Sequence, residues 1–195
     1  GRYRSHMIGV TLFLEEDRFT LVLQHPDNPQ LHHHATSRHT ERYRTHAYQV
    51  RFVGAQTDTL TGAAQMAAYE NYYLGKDRTR WKSHVSQYRE ITYHGLYEGI
   101  NLMVYSAANA LKYDFIVEPH ADPGQIRMRY DGVEGLRLQG GNVVVKTSVM
   151  DIVELKPYVY QVVEGEEVAV EAGYELKDGE IRFHLGDYER ERELV

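Results

Sequence analysis

The chain has no cysteine. That excludes disulfides, thiolate metal sites and cysteine nucleophiles. It contains no run of about 18 apolar residues, so no helical membrane span is expected. The basic side needed for nucleic-acid binding is also missing: 22 Lys and Arg stand against 28 Asp and Glu, a net charge of −6, whereas such binders usually carry a basic face. A Gly-x-Ser-x-Gly elbow and a glycine-rich phosphate loop before a helix are both lacking, which removes the commonest signatures of serine hydrolases and nucleotide enzymes. No cofactor is expected.

What is present is alternation. Ile8, Val10, Leu12 and Leu14, then Phe19, Leu21 and Leu23, flank the polar Glu15-Glu16-Asp17, which predicts a β-hairpin. Tyr48, Val50 and Phe52 mark a strand over 46–54. Ile91 and Tyr93 mark another, with Gly95 to Gly99 as the next turn. Ile100, Leu102 and Val104 follow, and then Leu111, Tyr113, Phe115 and Val117, all predicted to face inward because successive strand side chains point to opposite faces. Pro119 ends that strand. Ile126, Met128 and Tyr130 form a further inward set, with Arg127 and Arg129 outward. Strands are predicted over 133–138, 142–146, 150–156, 158–163, 167–176 and 180–185, with turns at Gly140-Gly141, Gly165 and Asp178-Gly179. Residues 55–70 read as a loop, or as a helical turn between Ala63 and Ala68.

Turn signals at 8–12-residue spacing with almost no helix indicate an all-β fold, an antiparallel β-sandwich. It is expected as one large module over 8–195 or as two packed sandwich-like halves divided near 119–124. Residues 1–7 look like an expression remnant ending at a start Met. The last residues, Glu193-Leu194-Val195, read as the start of a strand with an open edge, as in a piece of a longer protein.

Three sets of residues invite a functional reading. Six histidines lie between His25 and His46, and His32, His34 and His39 are the candidate metal ligands. Adjacent histidines on a loop without fixed spacing favour no physiological site, so no metal is expected. Tyr72, Tyr73 and Trp81 form the candidate binding set, since a flat ring with a polar edge suits protein or carbohydrate contacts. Their burial in a core edge is the expected alternative. Glu98, Asp114, Asp122 and Asp131 are the available carboxylates, and a glycosidase needs two facing each other across a cleft. No pair stands out, and no catalytic residue is assigned.

Several strings in order carry a resemblance: Asn71 to Asp77 with Trp81, Tyr97 to Leu102, Leu111 to Val117, Gly124 to Tyr130, and Lys156 to Gln161. Together they resemble an uncharacterised domain of large secreted bacterial proteins. Those proteins carry β-propeller-type repeats and, in gliding bacteria, a gliding-motility-associated C-terminal sorting domain. The resemblance implies a secreted or cell-surface setting and supplies no active site. The expected function is a non-enzymatic structural or interaction module whose partners are neighbouring domains of the parent chain, a surface protein or a glycan. A carbohydrate-binding sandwich is the alternative, and a glycoside hydrolase-like enzyme a more distant one. Neither nucleic acid nor membrane insertion is expected.

Overall fold

The hairpin around Glu15-Glu16-Asp17 forms as expected. In the computed structural model, which describes residues 3–7, 9–28, 42–73, 75–107 and 110–195, Val10–Leu14 (β2) pairs with Arg18–Gln24 (β3). Thr45–Phe52 (β4) adds to β3. Residues set apart from the fold on sequence, Tyr3–Met7 (β1), pair with β2. Helix among the described residues is confined to single 3-10 turns at Arg78–Arg80 and Pro123–Gln125, and no helix among them is long and apolar enough to cross a membrane.

The remaining strands are Thr59–Tyr72 (β5), Lys82–Tyr97 (β6), Ile100–Ala107 (β7), Ala110–Val117 (β8), Met128–Asp131 (β9), Gly135–Gln139 (β10), Asn142–Lys146 (β11), Ile152–Glu154 (β12), Val159–Val163 (β13), Glu166–Val170 (β14), Ala172–Lys177 (β15) and Glu180–Leu185 (β16). All pairings are antiparallel. One sheet runs β1-β2-β3-β4-β9-β16-β15, a second β5-β6-β7-β8, and smaller ones β10-β11-β12 and β13-β14. The two larger sheets face each other in the sandwich arrangement, with one shared core. Phe52 from β4 meets Tyr93 of β6 at 6.3 Å and Phe115 of β8 at 6.1 Å, both edge-on. Strands from both sides of Pro119–Gly124 lie in the seven-stranded sheet and contribute to the same core. The inward sets predicted around Phe115 and Met128 are buried or half-buried.

Four local expectations are corrected. Residues 55–70 are neither loop nor helix; most of them form β5. Alternation fails as a signal there because β5 has no buried residue beyond Leu60, so nothing selects apolar residues at every second position. The turn expected at Gly95 to Gly99 is shorter. Tyr97 pairs directly with Ile100, and a register shift between Tyr93 and Tyr97 marks a bulge. Gly95 supplies the left-handed backbone (φ +59°) for it, and both Leu96 and Tyr97 end up buried. The single strand expected over 167–176 is two, β14 and β15, in different sheets with a break at Glu171. The period-two pattern runs through that break without a turn residue to flag it. Finally, the open edge expected at the last residues is occupied. Leu194 exchanges both backbone hydrogen bonds with Val117 (2.9 and 3.0 Å), and Val195 does so with Tyr160 (2.9 and 3.0 Å).

Gly99 is a position where only glycine fits. Its φ is +68°, and a Cβ there would lie 2.6 Å from the Cβ of Ala121. Gly99→Ala is expected to lower stability by more than the roughly 1–2 kcal/mol that the left-handed backbone alone costs an L-residue, read as a lower urea midpoint. An unchanged midpoint would show that the β6–β7 turn relaxes freely.

Candidate functional site

Beyond Glu90, β6 has no partner in β7, and it continues with β5 alone as a two-stranded arm. Register shifts between Gln65 and Tyr69 and between Glu70 and Tyr72 interrupt its ladder. Ala64 (φ +51°) and His84 (φ +57°) take the left-handed backbone, and such irregularities sharpen twist and re-aim side chains. Tyr69 stacks on His84 at 4.5 Å with 22° between the planes. The backbone N–H of His84 donates to Asn71 Oδ1 at 3.0 Å.

The three sequence-selected rings gather at and near the tip. Tyr73 and Trp81 meet edge-on, 5.2 Å apart and inclined by 63°. The Trp81 indole N–H donates to the Gly75 carbonyl at 3.2 Å, and the Arg78 guanidinium lies 5.4 Å from its ring. Asp77 accepts from the Thr79 hydroxyl at 2.7 Å and from its backbone N–H at 3.0 Å, which fixes the tip turn and lowers the Asp77 carboxyl below its ordinary range. Tyr72 faces the other way. It takes a hydrogen bond from Arg4 at 3.0 Å, lies under that guanidinium at 4.9 Å, and donates to Glu70. Burial of these rings in a core edge, the expected alternative, does not occur. Tyr73 is 58% exposed, and Tyr72 and Trp81 are half-buried. An open groove of about 430 Å³, lined by Tyr3, Leu60, Val85, Ser86 and Tyr88, runs along the base of the arm.

The metal candidates His32, His34 and His39 lie outside the described residues. Among the described residues no three His, Asp or Glu side chains converge as metal ligands would. The four carboxylates considered for glycoside chemistry serve local ends. Asp122 caps the turn at Gly124 (2.9 Å), Asp131 accepts from Arg51 (3.4 Å), Glu98 sits in the β6–β7 turn, and Asp114 lies opposite Met103 in β8. Hydrogen bonding to Asp114 adds to burial in pushing the Tyr105 hydroxyl up to about 12.

Two further carboxylates, not singled out on sequence, are shifted in opposite directions. Glu154 of β12 accepts from Tyr113 of β8 at 2.9 Å and from Tyr130 of β9 at 2.8 and 2.9 Å, so one carboxyl ties three sheets together. Burial pushes its proton affinity up, and the two phenol hydrogen bonds only partly offset this. Around it, Tyr174 is pushed up to about 12 by burial and then by the charge of Glu154. Its sequence signal is a lone acid in an apolar run, on the same strand face as Ile152. Glu180 of β16 behaves oppositely. It is 4% exposed and is met by Arg129 at 2.8 Å, Arg182 at 3.0 Å and Arg127 at 3.8 Å. Burial raises its pKa, but the hydrogen bonds from Arg129 and Arg182 and the charge of Arg127 outweigh that, and the net shift is downward. It is therefore an ionised carboxylate under three guanidiniums. The described residues thus offer a carboxyl between two phenols, a carboxylate among three guanidiniums, and an aromatic arm.

Comparison with curated proteins and with solved structures gives no match. The family model described as Domain of unknown function (DUF7948) matches residues 1–195. With a match over the whole sequence, the chain belongs to that family.

Proposed function

We propose that this domain is a non-enzymatic interaction module of a longer secreted or cell-surface bacterial protein, and that the β5–β6 arm is its docking element. The observation that carries this reading is the arm itself. It runs on past the β6–β7 ladder, is contacted by Tyr3 and Arg4 of β1, and exposes Met66, Tyr69, Tyr73 and Val85. Large rings and methionine at a solvent-exposed projection are what protein contacts use as anchors, and the groove at the arm's base offers a place for a partner's apolar side chain. The setting, and neighbouring domains of the parent chain as partners, rest on the sequence resemblance. A second reading, a glycan on Tyr73 and Trp81, is favoured by the exposure of Tyr73 but weakened by the 63° between the rings, because a saccharide platform needs coplanar faces.

The test is association of the purified domain with each adjoining domain of its parent chain, measured by calorimetry. A Tyr69→Ala/Tyr73→Ala/Trp81→Ala variant is expected to bind at least about tenfold more weakly, since anchor rings contribute on the order of 2 kcal/mol each, with an unchanged melting temperature. Undiminished binding would remove the arm from the role. Neutral oligosaccharide binding that disappears in Tyr73→Ala would shift the reading to the glycan. Turnover of glycosidic, ester or peptide substrates that vanishes on replacing one carboxylate would make the domain an enzyme.

A further inference from the structure

The outer face of the seven-stranded sheet carries a row of arginines that structural pairing does not fully explain. The register sets Arg18 of β3 opposite Arg51 of β4, Arg51 opposite Arg129 of β9, and Arg129 opposite Glu180 of β16. Like charges directly opposite each other are unfavourable, so each needs compensation. Arg18 and Arg51 have it: Asp17 lies 2.7 Å from the first and 3.8 Å from the second, and Asp131 lies 3.4 Å from Arg51. The β9–β16 end does not. Three guanidiniums, Arg127, Arg129 and Arg182, share the single carboxylate of Glu180. Glu175 is opposite Arg182 in register, yet the ion pair of Arg182 is made with Glu180.

Among the described residues, three guanidiniums that share one ion-paired carboxylate concentrate positive charge on one patch of a chain whose net charge is −6. Glu180 lies beneath, with a side chain 5% exposed, while those of Arg127 and Arg129 remain 36% and 49% exposed. The carboxylate therefore orients the guanidiniums from below, and their remaining N–H groups face solvent. A guanidinium fork matches the paired oxygens of an oxyanion and holds them by two parallel hydrogen bonds. Arg182 reaches the same carboxylate from β16 at 3.0 Å, with its Nε buried and without a hydrogen-bond partner. Arg127 and Arg129 stand two residues apart on one chain segment, and their guanidiniums converge on the one carboxylate of Glu180, at 3.8 and 2.8 Å, which keeps both within reach of a single tetrahedral oxyanion.

We propose that Arg127 and Arg129, oriented by Glu180 and backed by Arg182, form a site for a sulfate group carried by a linear anionic glycan lying across β9 and β16. The face is open, which suits an extended chain. Among the described residues, none of the large exposed rings belongs to β9, β15 or β16, so the bases of a nucleic acid would find nothing there to stack on. The site is separate from the aromatic arm and stands or falls independently of it.

The test is calorimetric titration of the intact domain with a heparin-derived oligosaccharide, with inorganic sulfate, with a neutral glucan and with a single-stranded oligonucleotide. The sulfated oligosaccharide is expected to bind, to weaken with added salt, and to be displaced by inorganic sulfate in excess, while the glucan does not bind. Arg127→Ala/Arg129→Ala is expected to weaken it at least about tenfold. Arg127→Lys/Arg129→Lys keeps the charges that balance Glu180 but removes the forks, and is expected to weaken it severalfold. Lys76→Ala/Lys82→Ala on the arm is expected to leave it unchanged. If the alanine pair fails to fold, the lysine pair decides alone. Equal affinity in the lysine pair, equal or tighter binding of the oligonucleotide, or no binding of the sulfated oligosaccharide would each overturn the proposal.

Discussion

Glu154→Ala is expected to lower the unfolding free energy by about 2–4 kcal/mol. The substitution strands two phenol hydroxyls, those of Tyr113 and Tyr130, in the interior, and each unpaired buried donor costs roughly 1–3 kcal/mol. Part of that loss is returned, because a carboxyl that is costly to bury leaves with it. Burial and the nearby Glu154 charge also push both phenols well above their ordinary range, so they remain protonated donors throughout any practical pH. Glu154→Gln keeps an acceptor in place and is expected to be much milder near pH 5. The difference between the two proteins then depends on pH. The folded-state pKa of Glu154 is raised above its ordinary 4.5. The protonated carboxyl's contribution is thus fully present below the unfolded value and is lost as pH rises through the folded one. The natural chain should therefore lose stability relative to Glu154→Gln as pH climbs out of the ordinary carboxylate range. Urea midpoints for the pair across pH 4–9 give the answer. A natural chain that instead gained stability relative to Glu154→Gln as pH rose would mean that the folded protein favours the carboxylate.

That carboxyl also shows where sequence reading reaches its limit. The inward placement of Tyr113 and Tyr130 was legible, because each alternates with polar neighbours in a regular strand. A tyrosine in a core needs a partner for its hydroxyl, so the existence of an acceptor was implied. Its identity was not. Glu154 is 24 and 41 residues distant, on a short strand of another sheet, and only tertiary packing brings the three together. The Glu180 cluster has the same character. Arg127 and Arg129 were legible as the solvent face of β9, but their partner arrives from β16 through a register that alternation does not encode. The arm was misread for a different reason. Strands are recognised by a buried face, and the outer half of β5 has none; its ladder, from Gly62 opposite Ile91 to Tyr72 opposite Lys82, is held by backbone pairing and by cross-strand contacts such as the Tyr88 ring lying over Gly62. The rings at its tip were picked out by residue type, whereas their exposure depended on that unrecognised strand.

Phe115→Ala is expected to cost about 3–5 kcal/mol, the range for a phenylalanine removed from a close-packed interior. Its ring is 9% exposed and stands where the sheets meet. It packs edge-on against Phe52 of the seven-stranded sheet at 6.1 Å, against Tyr113 of its own strand at 5.9 Å, and against Phe183 of β16 at 5.7 Å. The loss combines the transfer free energy of the ring with a cavity that the surrounding strands cannot collapse into, since both sheets are pinned by their ladders. Edge-to-face pairs add about 0.5–1.5 kcal/mol beyond area, so Phe115→Leu should recover most but not all of the stability. Phe52→Ala and Phe115→Ala share a contact, and the double variant should lose less than the two single losses added together. The contrasting case is Tyr73→Ala, a truncation of similar size at the exposed arm tip, expected to shift stability by no more than about 0.5 kcal/mol. Denaturant midpoints at constant slope measure all of these. A near-neutral Phe115→Ala would mean that the two large sheets do not share one packed core, and a Tyr73→Ala loss as large as that of Phe115→Ala would mean that the arm tip is structural and not free to dock.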